Sequence, residues 1–325
     1  MNQVKYKPQD NRSGDASAAK QGFGRVSDSA PPQFDPEAEL EQACSYFEAN
    51  GFVALRGCLN PGEIAELNAF YDRTQQEVPE KWGFDARKPH HREQGLILSQ
   101  PLLDYPELDD YVCHAASYGV VCRLLGGEEH VRFAEFNLRE APSDAGPGSM
   151  NFHHDRVIED RLEREPYHPV DYLCRIHYLT DTQPGTPAFC VVPASNRFET
   201  LREAFEEQGD AYREVPIYGP AGTCIIYDSA LFHTRLDGDG YQPRRTWHQY
   251  FARGGWLRST LPTTNRYVRA PSPALTDWNL FPERLVFHED PKIRRLFSHW
   301  NTAQGEWVAS GFSDEVRDAM PRGNQ

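Results

Sequence analysis

The run YLCRIHYLT at residues 172–180 is short, rich in aromatic and aliphatic residues, and followed directly by the turn-forming stretch DTQPG. Four other runs have the same character: HVRFAEFNL (130–138), PAFCVVP (187–193), TCIIYD (223–228) and RTWHQYFAR (245–253). Turn-rich stretches such as APSDAGPG (141–148) and DGDGYQP (237–243) separate them. This pattern predicts a mainly β fold, with a double-stranded β-helix (jelly roll, cupin-like) core and flanking α-helices.

Helices are predicted before and after this β-rich region. In FDPEAELEQACSYFEANG (34–51), apolar residues recur at the spacing of one helix face, Asp35 is expected to cap the helix, and Gly51 to end it. In NPGEIAELNAFYDRTQQE (60–77), Asn60 and Glu63 have the spacing of a capping box. The stretch FPERLVFHEDPKIRRLFSHW (281–300) also has a helical pattern. These helices cannot bury their apolar faces alone, so they are expected to pack on the strands.

The chain has 325 residues, which suits one β-domain with added helices. We predict a disordered N-terminal tail over residues 1–34, because this segment is polar and has no periodicity. A single domain is predicted over 35–325, with a β-core at about 131–255 and a helical C-terminal extension at about 260–325.

Composition narrows the class of partner. The formal net charge of −14 argues against nucleic acid or an anionic membrane surface as a partner, since both need clustered Lys and Arg. The seven cysteines are scattered and include no C-x-x-C pair, which favours free thiols in a reducing compartment. The polar N-terminus has no signal-peptide pattern, so a cytoplasmic location is expected.

The stretch NFHHDRV (151–157) contains an H-x-D motif. On an extended segment, alternate side chains point to the same face, so His153 and Asp155 share one face while His154 points to the other. His233 follows the β-run TCIIYD and is the best third ligand. Two imidazoles and one carboxylate form the facial triad of non-haem Fe(II) oxygenases. A bare H-x-D is also common in solvated loops, and zinc in a cupin-like barrel is an alternative.

A basic residue adds a second signal. Arg244 follows His233 by 11 residues, in YQPRRTWHQYFARGG (241–255). An oxygenase that uses 2-oxoglutarate must hold the distal carboxylate of this cosubstrate, and a guanidinium offers two parallel donors for it. Arg245 is the competing residue, on the opposite face of the same strand.

The motifs in this order resemble the phytanoyl-CoA dioxygenase family of Fe(II)/2-oxoglutarate oxygenases, which includes ectoine hydroxylase. The resemblance lies in FEANGFVALRGCLNPGEIAEL (47–67), FHHD (152–155), LTDTQPGTPAFCVVPASNRF (179–198), GTCIIYDSALFH (222–233) and Arg244. It implies that His153, Asp155 and His233 bind iron and that Arg244 binds 2-oxoglutarate. It also implies that Asn137, in FNLREAP (136–142), contacts the cosubstrate.

The resemblance implies an enzyme that consumes O₂ and 2-oxoglutarate and hydroxylates an unactivated C–H bond of a small molecule, with formation of succinate and CO₂. Halogenating relatives carry Gly or Ala in place of Asp155, so hydroxylation is favoured over halogenation. Desaturation, epimerisation and ring formation use the same triad and stay open, as does a non-catalytic jelly-roll binding protein. Neither the substrate nor the oligomeric state follows from the sequence.

Four other residues are weighed from strand alternation. His248 and Tyr250 share the face of Arg244, and cavity lining and core packing are equally compatible with them. Arg175 and His177 lie on one face of the run 172–180, where solvated positions are the more common explanation and contact with an acidic substrate is the alternative.

Overall fold

A computed structural model describes residues 22–82, 95–99, 101–144, 151–155, 169–253, 282–286, 288–297, 300–301 and 306–307. The helices in these ranges are α1 (Leu40–Asn50), α2 (Pro61–Glu77), α3 (Ala115–Leu124), α4 (Leu201–Gln208), α5 (Glu283–Val286) and α6 (Pro291–Phe297). Short 3₁₀ helices lie at Pro79–Lys81, Pro101–Leu103, Pro106–Tyr111, Glu128–His130, Ser195–Arg197 and Gly209–Ala211. None of the described helices combines the length and the apolar character that a membrane crossing requires.

The strands are β1 (Gln33–Phe34), β2 (Phe52–Leu55), β3 (Leu96–Ser99), β4 (Val131–Ala141), β5 (Tyr172–Tyr178), β6 (Phe189–Val191), β7 (Val215–Ile217), β8 (Cys224–Asp228), β9 (His233–Arg235), β10 (Arg244–Arg253), β11 (Trp300–Asn301) and β12 (Glu306–Trp307). A seven-stranded sheet has the order β1-β2-β8-β5-β10-β4-β3, and a three-stranded sheet has the order β7-β6-β9. The five β-rich runs of the sequence correspond to β4, β5, β6, β8 and β10. Strands β11 and β12 form a separate pair.

The larger sheet is buried on both faces. Its inner face and the smaller sheet enclose one apolar cluster, to which the larger sheet contributes Ile176 and Ile225 and the smaller sheet contributes Phe189 and Ile217. Its outer face packs against the helices through a second cluster that includes Trp247. Two facing sheets with helices outside are the architecture predicted from the sequence, and the jelly-roll prediction is confirmed.

Strand β10 shows how this layering assigns side chains to faces. Tyr250 and Ala252 belong to the inner cluster, while Trp247 and Phe251 belong to the outer one. Because side chains alternate along a strand, Arg244, Thr246 and His248 are on the inner face with Tyr250, and Arg245 is on the outer face. The inner face of β10 is therefore where a ligand inside the jelly roll would meet polar groups.

The predicted cap of α2 is present, whereas α1 begins later than its predicted cap. Asn60 accepts the amide hydrogens of Gly62 and Glu63, and the Glu63 carboxylate accepts the Asn60 amide hydrogen, so the predicted capping box is present. Asp35 accepts the amide hydrogens of Glu37 and Ala38 at 3.0 and 2.9 Å. This closes a turn, and α1 begins only at Leu40, later than the Asp35 cap predicts.

Residues 22–34, which the sequence analysis assigned to a disordered tail, are held against the domain. Phe23 stacks on Phe205 with ring centroids 4.0 Å apart, and its amide donates to the buried Glu214 carboxylate. Further along, Gln33–Phe34 pairs in parallel with β2. These contacts depend on distant partners and so leave no periodic signal in the sequence. Residues 1–21 lie outside the described residues, and the extent of the single domain stays a prediction.

Two glycines near the start of α2 have positive φ and different surroundings. A Cβ at Gly222 (φ 92°) would lie 2.8 Å from the Leu59 carbonyl oxygen, whereas a Cβ at Gly57 (φ 65°) would meet nothing within 4 Å. We expect Gly57→Ala to lower the free energy of unfolding by about 1 kcal/mol and Gly222→Ala by about 3 kcal/mol, because only the second adds a backbone clash. Urea denaturation measures both, and equal losses would contradict the packing described here.

Candidate active site

Residues 151–155 lie alongside the start of β9. The His153 amide donates to the His233 carbonyl at 3.0 Å, and the His233 amide donates to the His153 carbonyl at 2.8 Å. The Asp155 amide donates to the Ser229 carbonyl at 2.7 Å. This antiparallel contact brings the two imidazoles side by side, with ring centroids 4.4 Å apart.

The strand that carries His233 differs from the expectation. The sequence predicts one β-run, GTCIIYDSALFH (222–233), with His233 at its end, but β8 ends at Asp228 and His233 begins β9 in the smaller sheet. Asp228 makes the turn between them, because its carboxylate accepts the Ala230 amide at 3.0 Å and its carbonyl accepts the Leu231 amide at 2.8 Å. His233 therefore faces the larger sheet from the opposite side of the jelly roll.

The three predicted ligands converge. One ligand atom each from His153, Asp155 and His233 lies within 4.8 Å of the others, and His233 Nε2 is 3.8 Å from Asp155 Oδ2. His153 Nδ1 lies 2.8 Å from the Asn151 carbonyl and His233 Nδ1 lies 2.9 Å from the Leu231 carbonyl. A carbonyl only accepts, so each Nδ1 carries the hydrogen and each Nε2 keeps a lone pair, the arrangement usual for metal-binding histidines.

The protonation state also suits a metal. Burial, with a smaller contribution from His153, lowers the pKa of His233 to about 3, and Asp155 opposes this shift. The imidazole is therefore neutral near pH 7, the form that coordinates a cation. Two imidazoles and a carboxylate fit a divalent transition metal such as iron.

His154 points away from this group, as strand alternation predicts. Its Nε2 is 3.2 Å from the Glu199 carbonyl, and its ring meets the Phe232 ring edge to face with centroids 4.8 Å apart. Phe232 belongs to a separate apolar cluster behind the smaller sheet. The two adjacent histidines thus belong to different layers of the molecule.

Arg244 is a buried cation on the inner face of β10. It is 6% exposed, and its Nε and Nη1 have no hydrogen-bond partner among the described residues. Its polar neighbour is the Tyr178 hydroxyl, which donates to the Ile217 carbonyl at 2.8 Å and accepts the Phe189 amide at 3.3 Å. Burial lowers the pKa of Arg244 to about 10, so the guanidinium stays charged near pH 7.

A buried charge is costly unless an opposite charge neutralises it. No acidic residue of the described chain forms an ion pair with Arg244, so its two free donors are available to an anionic ligand. Arg245 has the opposite situation on the outer face. It donates to Glu140 at 2.6 Å and to Asp72 at 2.7 Å, so two carboxylates of the protein already neutralise it.

Asn137 lies on the inner face of β4, opposite His248 of β10. Its amide nitrogen donates to Glu135 at 2.8 Å, and its carbonyl oxygen accepts from Arg139 at 2.6 Å. Within the described part of the chain, no hydrogen bond joins Asn137 to the three converging ligands or to Arg244. Its predicted role toward the cosubstrate stays a prediction.

Two residues weighed from the sequence prove to be structural. Arg175 and His177 are fully buried on the outer face of β5, so both sequence interpretations, a solvated position and a substrate contact, are wrong for them. Arg175 donates to Gln249, to Ser117 and to the carbonyls of Tyr111 and Val112. The helical layer covers this face and supplies partners that the local sequence does not reveal.

Sequence reasoning also missed Tyr178, the inner-face neighbour of Arg244. The available signal was alternation along β5, since Tyr178 is three residues from Arg175 and therefore on the opposite face. His248 is confirmed to share the face of Arg244, and it is 4% exposed. Polar side chains of β5 and β10 therefore lie together on the inner face of the larger sheet.

A jelly roll in which two imidazoles and a carboxylate converge, with a buried arginine that has no acidic partner among the described residues, fits the class of mononuclear iron oxygenases that use a 2-oxo acid. Residues 47–245 match the family described as Phytanoyl-CoA dioxygenase (PhyH). The chain therefore belongs to this family of iron- and 2-oxoglutarate-dependent oxygenases, and the resemblance drawn from the motifs is confirmed. No match was found among curated proteins.

Solved structures with this fold include EctD from S. alaskensis with bound Fe, at 17% identity and a TM-score of 0.54, covering 81% of this chain and 92% of that one. The carbocyclase SnoK from nogalamycin biosynthesis has 16% identity and a TM-score of 0.54, covering 69% and 88%. The epimerase SnoN from the same biosynthesis has 16% identity and a TM-score of 0.52, covering 71% and 93%. At these identities the likeness establishes the shared fold.

The structural role of Arg175 predicts the effect of its removal. We expect Arg175→Leu to lower the free energy of unfolding by about 3 kcal/mol or more, because Gln249, Ser117 and two carbonyls lose a buried donor. Arg202→Leu, on the exposed face of α4, is the control and should change it by less than about 0.5 kcal/mol. Denaturant titration of both variants provides the measurement; a tolerated Arg175→Leu would show that the network contributes little.

Proposed function

We propose that this protein is an Fe(II)- and 2-oxoglutarate-dependent oxygenase that hydroxylates an unactivated C–H bond of a small molecule. The observation that carries the proposal is the presence, inside one jelly roll, of three converging ligand atoms and a buried guanidinium with no acidic partner among the described residues. A zinc hydrolase would need the ligands and would have no use for the arginine. A non-catalytic binding protein would have no need to keep the three ligands together with the arginine.

We assign Fe(II) to His153, Asp155 and His233. Support comes from the neutral state of His233 and from the Nδ1 hydrogen bonds, which turn both Nε2 atoms away from the backbone. Three protein ligands would leave other coordination positions of the iron open to cosubstrate and O₂. Asp155 favours hydroxylation over halogenation, because halogenating relatives carry Gly or Ala there.

We assign the distal carboxylate of 2-oxoglutarate to Arg244. The guanidinium is held at the start of β10, and the Tyr178 hydroxyl next to it is fixed by the Ile217 carbonyl and the Phe189 amide. A planar fork in a fixed place binds a carboxylate with two charge-assisted hydrogen bonds. Asn137 is proposed as a further cosubstrate contact, since its amide nitrogen has a second hydrogen beyond the one donated to Glu135.

When bound, iron and 2-oxoglutarate supply the oxidising chemistry: O₂ is consumed, 2-oxoglutarate becomes succinate and CO₂, and one oxygen atom enters the C–H bond of the substrate. The protein's own contribution is positional. Backbone pairing fixes the two histidines, and the buried arginine orients the cosubstrate. The apolar residues of the inner cluster exclude water around them.

The type of product separates hydroxylation from its alternatives. SnoK and SnoN are described as a carbocyclase and an epimerase, so the same fold serves several outcomes. Small molecules would be screened for stimulated succinate release, and the product analysed by mass spectrometry under isotopically labelled O₂. Incorporation of one labelled oxygen supports hydroxylation. A product that has lost two hydrogens would indicate desaturation or ring formation instead. A product of unchanged mass would indicate epimerisation.

The metal assignment predicts a spectroscopic difference between adjacent histidines. Protein loaded with Fe(II) without oxygen should develop a metal-to-ligand charge-transfer absorption when 2-oxoglutarate is added. His153→Ala, Asp155→Ala and His233→Ala should lose it, because each removes one of three ligands. His154→Ala should keep it, since that imidazole faces Phe232. Absorption that survives in Asp155→Ala would overturn the assignment.

Arg244 and Arg245 should respond in opposite ways to the same substitution. Arg244→Met should raise the 2-oxoglutarate concentration needed for half-maximal absorption about tenfold to a hundredfold, because a charge-assisted contact is lost. Arg245→Met should leave that concentration unchanged and lower the free energy of unfolding by about 1–3 kcal/mol, since Glu140 and Asp72 lose their partner. Equal effects on cosubstrate binding would refute the choice of Arg244.

A further inference from the structure

We propose that His248 is an additional cosubstrate-binding residue, which donates a hydrogen bond from Nδ1 to the 2-oxo acid end of 2-oxoglutarate. This inference rests on the proposed function and adds a residue to that site. It starts from an unpaired buried atom: His248 is 4% exposed, and its Nδ1 has no hydrogen-bond partner among the described residues. Such an atom is costly unless a ligand completes its hydrogen bonding.

His248 lies on the inner face of the larger sheet. On β10 it shares the inner face with Arg244, and across the sheet it is opposite Asn137 of β4. The charges that act most on its imidazole come from Arg139, Arg244 and His233, which belong to three different strands. His248 therefore lies within electrostatic range of both Arg244, which we assign to the distal carboxylate, and His233, which we assign to the metal.

The tautomer of His248 decides whether Nδ1 can donate a hydrogen bond. Burial, then Arg139 and Arg244, lower the pKa of His248 well below its usual value, so the imidazole is neutral. Its Nε2 is 2.9 Å from the Thr246 hydroxyl. A hydroxyl can donate or accept, so the proposal includes the tautomer in which Thr246 donates to Nε2 and Nδ1 carries the hydrogen that an anionic ligand would accept.

Strand geometry selects the end of the cosubstrate. His248 is four residues beyond Arg244, or about 13 Å along an extended strand. With the distal carboxylate at Arg244, the group near His248 is the 2-oxo acid end, which is also the end next to His233. Asn137, opposite His248, lies beside the same end.

Three substitutions of His248 test this role by ligand titration of Fe(II)-loaded protein without oxygen. His248→Asn places an amide N–H near the position of Nδ1, His248→Gln places one near Nε2, and His248→Leu offers neither. The ligands are 2-oxoglutarate and pyruvate, which has the 2-oxo acid group without the distal carboxylate. Charge-transfer absorption gives the dissociation constant of each ligand.

We expect His248→Leu and His248→Gln to raise the dissociation constants of both ligands by a similar factor, about tenfold or more. His248→Asn should restore most of the affinity. Arg244→Met should weaken 2-oxoglutarate and leave pyruvate unchanged. This contrast separates the two ends of the cosubstrate.

Other outcomes would overturn the inference. Unchanged binding in His248→Leu would show that Nδ1 makes no contact, and weakening of 2-oxoglutarate alone would move His248 to the distal end. Equal losses in Asn and Leu variants would mean that the imidazole only fills space. If His248→Leu does not fold, as judged by thermal unfolding of the metal-free protein, the Asn–Gln comparison decides. No absorption in the unaltered protein would instead refute the proposed function.

Discussion

The backbone pairing of His153 with His233 is the constraint on which the site depends. Two hydrogen bonds, of 3.0 and 2.8 Å, join segments far apart in the sequence, and they fix both the spacing and the direction of the two imidazoles. Each ring is then oriented by a carbonyl two residues earlier in its own segment. The ligand geometry is thus set by main-chain contacts, and a cation needs little rearrangement to bind.

The same sheet separates two kinds of arginine. On the outer face, Arg175 and Arg245 are surrounded by carbonyls, amides or carboxylates of the protein, which makes them part of the structure. On the inner face, Arg244 has free donors. Arg244 and Arg245 are adjacent in the chain, so a one-residue change of register would exchange these roles. Alternation along β10 therefore determines which guanidinium is available to a ligand.

The sequence predicted what local chemistry controls. Runs separated by turns gave the strands, the spacing of Asn60 and Glu63 gave a helix start, and alternation separated His153 from His154. It did not predict the burial of Arg175, because both faces of the larger sheet are covered and polarity along β5 no longer marks the exposed side. The sequence also did not predict the turn between β8 and His233. The intervening residues SALF (229–232) include no Gly or Pro, and the turn depends on the Asp228 carboxylate.

Charge within the molecule adds a further constraint on ligand binding. The chain has a net charge of −14, yet Arg139 and Arg235 both act on Arg244 in the interior. At physiological ionic strength a surface charge is screened within about 8 Å, so the acidic surface neither attracts a dianion from a distance nor strongly opposes it inside. A dianionic cosubstrate must then be selected by short-range contacts. Because Arg244 is charged and buried and has no acidic partner among the described residues, we expect binding of such an anion to remove an unfavourable charge and to stabilise the folded protein by mass action. A binding site of this kind favours contacts at both ends of the ligand, since one guanidinium alone recognises any small carboxylate.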